Sequence, residues 1–409
     1  MLGARGDSSA PCTGCVASLL LAPPENPSEK ENTVKARRNV SVLAILTACS
    51  IVLGIWNPFS REGNALRGQA SLTSAQFQVD PFWPKPLPND WVTGNVGGTC
   101  VDSKDHVFIV NRTADPANLT DQEKEIGRPA PPVIEFDPEG NVVNSWGDPK
   151  VLPSGIHGCY FDSEDNLWIG GNADAIAQKY SHDGKLLLQI GTKGKFDSSD
   201  GTAGASREAT GLNASHTLLN KPASFAVDPA NGDVYIADGY GNRRIVVFDR
   251  NGKYLRQFGR QATKAESDAG MGGVFLGAVH CVALGNDGLV YVADREGRRV
   301  QVFDKRGGFQ RNITIKRRRA DLPGNGAPWW LLFSLDPAQK YLYVADGLDE
   351  VIWTLDRESG RTLAGFGRLG HMAGEFTFLH TIAMNSKGDL FIGETLGGRR
   401  VQKFKAVGN

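Results

Sequence analysis

The sequence predicts an all-β fold: a six-bladed β-propeller of four-stranded blades, preceded by a single apolar N-terminal segment. Three observations carry this. From about residue 75 onward the chain, which has 49 glycines in all, is short runs of β-branched and aromatic residues broken by Asp-Gly and Asn-Gly turns. A strand–turn–strand unit recurs six times along that stretch. The sixth copy stops one strand short, and a spare strand precedes the first copy. With 409 residues, 40% of them apolar, the chain is long enough to bury one large core.

Residues 1–38 are polar, lack helical or strand period, and read as a disordered cytoplasmic tail. Residues 39–56 hold the apolar run VSVLAILTACSIVLGIW at 40–56, which follows Lys35, Arg37 and Arg38. That run is short for a membrane span, where about 20 residues is usual. It is long for a signal-peptide core, usually about 7–15 residues. Positive charge on its N-terminal side keeps the tail inside and sends the remainder out. It therefore reads as a signal anchor, or as a signal peptide cleaved near residues 68–70. Either way the large domain is expected to be extracytoplasmic: secreted, periplasmic or membrane-anchored through residues 40–56. Residues 57–74 read as a linker, and residues 75–409 as the propeller.

Each copy of the repeat is a strand pair. The pairs lie at 97–102 and 106–111, 157–162 and 167–170, 223–228 and 233–238, 280–285 and 289–294, 331–336 and 341–346, and 380–385 and 390–394. Third strands follow at 133–136, 244–248, 299–303, 351–355 and 400–404; fourth strands end in aromatic-Gly or Ile-Gly at 145–147, 189–191, 257–259 and 365–367. Four strands per copy and six copies make a six-bladed propeller. The strand missing from copy six is expected from residues 75–80, which would close the ring and leave no free edge.

The repeat gives meaning to three histidines. His157, His280 and His380 open copies two, four and six, while copies one, three and five carry Gly97, Ala223 and Leu331 at that position in this alignment. Blades of a closed six-fold ring are related by about 60°, so the histidines stand about 120° apart and face one axial channel. Three neutral imidazoles converging on a point suit a metal ion with an open coordination position. Zinc fits best, with iron, copper and nickel left open. Taken singly, each histidine would be an ordinary polar residue at a strand start; sharing one register argues against that. The other four, His106, His182, His216 and His371, follow no such register.

A second register tops the innermost strands. It brings Asn111-Arg112, Asp238-Gly239-Tyr240 and Asp294-Arg295 to the same mouth. Two guanidiniums suit a carboxylate or a developing anion. A phenol beside a metal and a guanidinium loses its proton more readily and can act as a base. The blander expectation is that Arg295 pairs with Glu296 or Asp294 and that Tyr240 is a rim aromatic.

Charge and cysteines narrow the classes. Lysine plus arginine equals aspartate plus glutamate, 45 each, so nothing global points to nucleic acid. The run Lys316-Arg317-Arg318-Arg319 reads as a solvated connection between blades. Of six cysteines, Cys12 and Cys15 lie in the polar tail and Cys49 in the apolar run; Cys100, Cys159 and Cys281 read as small buried strand residues, with no disulfide framework expected.

The segments 152–158, 238–246 (DGYGNRRIV), 292–301 (VADREGRRVQ) and 379–380 together resemble the peptidyl-α-hydroxyglycine α-amidating lyase domain, of the NHL-repeat propeller superfamily. The resemblance covers roughly residues 80–405. It implies zinc on His157, His280 and His380, Tyr240 as the base on the substrate hydroxyl, and Arg112 and Arg295 as assisting and carboxylate-binding groups. Arg112 matches weakly, because its flanking sequence differs. The implied reaction breaks the C–N bond of a peptidyl-α-hydroxyglycine, giving a peptide amide and glyoxylate. Two departures stand out. The family has an aspartate after its third zinc histidine, serving a structural calcium; here it is Thr381, which puts calcium in doubt. The cysteine that follows the base in animal members is Gly241 here. No copper-binding monooxygenase stretch precedes the propeller, so the hydroxyglycine substrate is expected from elsewhere. Two other classes compete: a non-catalytic extracytoplasmic NHL-type module that binds a protein partner, and another metal-dependent propeller hydrolase. The hydrolase class usually uses carboxylate and asparagine ligands, and no such set occupies the histidine register.

Overall fold

The computed structural model describes residues 76–112, 119–202, 211–318 and 326–407. The tail, apolar run and linker expected before residue 75, with Cys12, Cys15, Cys49 and residues 40–56, lie outside the described residues. Among those described, no helix is long and apolar enough to cross a membrane.

Six four-stranded antiparallel sheets form the blades. The innermost strands are Val96–Val101, Ile156–Phe161, Pro222–Val227, Val279–Leu284, Trp330–Phe333 and Leu379–Met384. Each touches the next, and the sixth touches the first, so the ring is closed. The sixth blade is completed by Gln76–Asp80, which pairs antiparallel with Arg400–Val407 in the register Gln76↔Val407 to Asp80↔Lys403. The expected closure thus joins the two ends of the folded region and covers the edge each would otherwise expose.

Alternation along the strands places apolar side chains between neighbouring blades, where Phe108 meets Phe161, Trp168 meets Phe225 and Tyr291 meets Phe333. Within a blade, the carboxylate ending the second strand holds the residue opening the third. Asp238 accepts from Arg244 at 3.0 Å, Asp294 from Arg299 at 2.9 Å and Glu394 from Arg400 at 2.7 Å. Blade five substitutes an indole, with Trp353 donating to Asp346 at 3.0 Å. The only helices among the described residues, Asp121–Ile126 and Lys264–Asp268, are short connections opened by capping boxes at Thr120 and Thr263. The basic run is not simply solvated: the Arg317 side chain is buried 3.9 Å from Asp349, while Arg318 is exposed and donates to the Gly367 carbonyl.

The structure corrects two readings. Cys100 and Cys159 are not separate small residues but form a disulfide between blades one and two, with Cα atoms 5.8 Å apart. The two cysteines sit one register position apart on neighbouring inner strands. Alternation therefore points Cys100 toward blade two and Cys159 toward blade one. Cys281 stays free and buried, its thiol pushed up to about 12 by burial. The disulfide closes a loop with a sequence separation of 59. Replacing both cysteines with serine is expected to lower stability by about 4 kcal/mol on loop-closure grounds. Guanidinium unfolding of the oxidised and double-serine proteins measures this; equal midpoints would mean the bond constrains nothing.

The second correction concerns blade five. Ser334, not Asp336, begins its inner turn, because Ser334 N donates to Tyr341 O across a turn two residues longer than the sequence alignment assumed. The residue at the histidine register is therefore Trp329, not Leu331; Trp330 pairs with Ala345 as Cys281 pairs with Ala293.

Candidate metal centre

The three histidines converge. Their ligand nitrogens lie within 4.8 Å of one another, with His380 Nε2 3.1 Å from His157 Nε2. All three are buried, at 0–2% exposure. A bulge at the histidine or its successor interrupts each inner strand: pairing skips from His157 to Cys159, from Val279 to Cys281 and from Leu379 to Thr381. Such bulges re-aim one side chain out of the sheet's alternation.

The odd blades hold the imidazoles in place. His157 Nδ1 donates to the Ala223 carbonyl at 2.8 Å, and His280 Nδ1 donates to the Trp329 carbonyl at 2.6 Å. A carbonyl only accepts, so each Nδ1 carries the proton and each Nε2 turns its lone pair to the axis. For His380 the Val96 backbone lies nearby, without closing a hydrogen bond of good geometry. Alternate blades thus divide the work: even blades supply the converging imidazoles, and blades three and five supply the carbonyls that aim two of them. Inward lone pairs crowded around one buried point fit a cation and are otherwise repulsive, so this donor set fits zinc.

Burial holds the imidazoles neutral. His157 is held well below the ordinary histidine value by desolvation first, then by His380, His280 and Arg112. His280 is lowered by desolvation and then Arg295. His380 is lowered to about 3 by desolvation, then Arg112 and Arg295.

Tyr240 stands over the centre. Its hydroxyl is 2.9 Å from His280 Nε2 and 3.2 Å from His157 Nε2, and accepts from Arg295 Nη1 at 3.0 Å. The Arg295 guanidinium is sandwiched between the Tyr240 and Trp329 rings, at 5.1 and 5.0 Å from their centroids. The blander expectation for Arg295 holds in part: Glu296 lies at 4.0 Å as a long ion-pair partner, while Asp294 is engaged by Arg299 at 2.9 Å. Arg112 is anchored from the other side, its Nε donating to the Ile156 carbonyl at 2.7 Å, beside a cleft of about 330 Å³ lined by Pro132, Leu152, Pro153 and Ile156. The three histidines, Tyr240 and Arg295 therefore meet at one place, and Arg112 is near enough to lower all three imidazoles.

Sequence reasoning missed what positions them. Arg243 Nη1 donates to the carbonyls of Gly239, Tyr240, Gly241 and Asn242, at 2.7–3.0 Å, and so clamps the loop carrying Tyr240. Gly239 packs so closely on blade four that a Cβ there would lie 2.1 Å from the Val279 carbonyl oxygen. Its lack of a side chain lets Tyr240 reach His280. Trp329 was missed because of the blade-five turn. Where the resembled family has its calcium-serving aspartate, Thr381 donates instead to the Thr99 hydroxyl at 3.1 Å. That neutral pair offers a hard dication no charge.

Residues 219–248 and 277–303 match the NHL repeat. Human NHL repeat-containing protein 3 is 28% identical over 235 residues, covering 56% of this chain and 57% of that protein. Peptidyl-glycine alpha-amidating monooxygenase B of Xenopus laevis is 25% identical over 330 residues, 78% of this chain and 34% of that protein. Peptidyl-alpha-hydroxyglycine alpha-amidating lyase 1 of Drosophila melanogaster is 30% identical over 176 residues, 42% and 29% respectively. The chain thus spans little more than half, or less, of the length of these relatives. Among solved structures, a streptogramin B lyase superposes with a TM-score of 0.50 at 13% identity, covering 81% of this chain and 98% of that one, which bears on the fold alone. The chain is a six-bladed propeller that carries two stretches matching the NHL repeat and is similar in sequence to NHL repeat-containing protein 3 and to the peptidyl-α-hydroxyglycine α-amidating lyases.

Proposed function

We propose that this propeller is a metal-dependent carbon–nitrogen lyase acting on peptidyl-α-hydroxyglycine or a closely related carbinolamide with a free carboxylate. The observation that carries the reading is the Tyr240 hydroxyl, set at hydrogen-bond distance from two of three converging imidazoles and from the Arg295 guanidinium. His157, His280 and His380 would hold the metal, which when bound supplies Lewis acidity at the substrate hydroxyl. Tyr240 takes the hydroxyl proton. As the carbonyl of glyoxylate forms, the C–N bond breaks and the amide nitrogen recovers a proton. Arg295 and Arg112 steady the carboxylate and the charge that develops next to it. Burial keeps all three imidazoles neutral and available as ligands.

The Cys100–Cys159 disulfide supports an extracytoplasmic location, where such bonds persist. A second reading is a non-catalytic module binding a protein partner; the chain is as similar to NHL repeat-containing protein 3, named for its repeats alone, as to the lyases. One assay separates them. The purified chain, loaded with zinc, is expected to release glyoxylate from a synthetic α-hydroxyglycine peptide, and no release above the metal-free control would leave the binding module as the better reading.

A further inference from the structure

A second group of ligand-type side chains lies away from the axis. Asp102, His106 and Glu135 belong to blade one, and His182 reaches over from the turn after the third strand of blade two. The Asp102 and Glu135 side chains are only 0% and 5% exposed, whereas His106 and His182 are 27% and 33% exposed. The carboxylates are therefore buried while the imidazoles open a way to solvent.

The other blades show what this position normally holds. In blade two, Lys179 lies 3.0 Å from Asp162, the residue equivalent to Asp102. In blade six, Lys403 lies 3.2 Å from Asp389, which occupies the place of His106. Between blades three and four, Lys305 reaches Asp228 at 2.5 Å, as His182 of blade two reaches Asp102 of blade one at 2.9 Å. Blade one reverses the pattern. Glu135 stands where blades two and six have lysine, and the inter-blade lysine has become His182. Among the described residues, imidazoles are the only ion-pair partners of Asp102 and Glu135. Two buried carboxylates without a permanent cation are costly to keep ionised unless something positive joins them.

The spacing suits a divalent ion. His106 Nδ1 is 2.6 Å from Glu135 Oε1 and 3.9 Å from Asp102 Oδ2; His182 Nε2 is 2.9 Å from Asp102 Oδ2 and 3.7 Å from Glu135 Oε1. Ligands about 2.0–2.1 Å from a tetrahedral zinc stand about 3.3 Å apart, and these four separations straddle that value. Asp102 is already oriented: its other oxygen accepts from the Lys104 and His106 amides, at 2.9 and 2.7 Å. Outer hydrogen bonds of this kind typically hold metal-binding carboxylates in place.

We propose that Asp102, His106, Glu135 and His182 form a second metal site, for zinc or a similar first-row divalent ion, which ties blade one to blade two. Two nitrogen and two carboxylate ligands complete a four-coordinate shell, so this site holds blades together rather than presenting an open position. It stands in for the Lys179, Lys305 and Lys403 contacts of the other blades, of which Lys305 joins two blades, and it is independent of the axial centre.

The test uses the full chain carrying His157→Ala and His280→Ala, so the axial centre cannot contribute. Titration with zinc chloride is expected to show one equivalent bound, and the unfolding midpoint should rise with zinc by mass action. His182→Gln should weaken that binding at least tenfold. Glu135→Lys restores the charge pattern of blades two and six, so it should fold without zinc, bind none and show no zinc-dependent shift in its midpoint. In the otherwise unaltered chain, Glu135→Lys should reduce total bound zinc from two equivalents to one. No equivalent bound in the double-alanine chain, or one that survives both His182→Gln and Glu135→Lys, overturns the proposal. Neither outcome bears on the lyase reading.

Discussion

Tyr240→Phe is expected to lower glyoxylate release by about a hundredfold to ten-thousandfold, the usual range for removing a positioned acid–base group. The zinc content should stay unchanged. The substitution removes one oxygen atom and leaves the ring, which packs edge-on against His157 and His280. What disappears is the hydroxyl that bridges two imidazoles and the Arg295 guanidinium. Because Arg295 also stacks on Trp329, it keeps its place when that hydrogen bond is lost. The effect should therefore fall on kcat more than on KM. Unchanged turnover with zinc still bound would rule out Tyr240 as the base.

Changing His157 and His280 together to alanine is expected to remove one zinc equivalent per chain and to abolish turnover. Each histidine brings one inward lone pair, fixed by a carbonyl of the next blade. His380 alone cannot hold the ion at useful affinity, since catalytic zinc sites generally need three protein ligands. Elemental analysis of the purified variant, with circular dichroism to confirm the β-fold, makes the measurement. A zinc equivalent that persists, beyond any held at the blade-one site, would place the axial metal elsewhere.

The same burial predicts acid sensitivity. The folded imidazoles refuse protons, whereas the unfolded chain accepts them near the ordinary histidine value of about 6.5. The unfolded state thus binds more protons below that value. Stability is full above it and falls as the pH drops through and below it.

How much of this was legible in the sequence follows from the repeat. Internal repetition is itself a coordinate system: once six strand pairs are aligned, equivalent positions must face equivalent places in a ring. That is why the histidine register, the Tyr240–Arg295 mouth and the closing strand at Gln76–Asp80 could be read without coordinates. The alignment failed where the repeat was irregular. The longer turn after Ser334 moved the register by two residues, hiding Trp329, whose carbonyl aims His280. The Cys100–Cys159 bond depends on two strands whose side chains face each other only because adjacent blades pack with a particular stagger. A one-position offset between cysteines on neighbouring inner strands was the available signal.

The sequence by itself determined the all-β class, the number of blades, the ring closure and the three axial histidines, because each follows from periodic patterning along one chain. Only the tertiary structure decided which groups meet between blades: the disulfide and the Asp102–His106–Glu135–His182 cluster. Those contacts depend on the twist and separation of packed sheets, which vary from blade to blade and leave no period in the sequence.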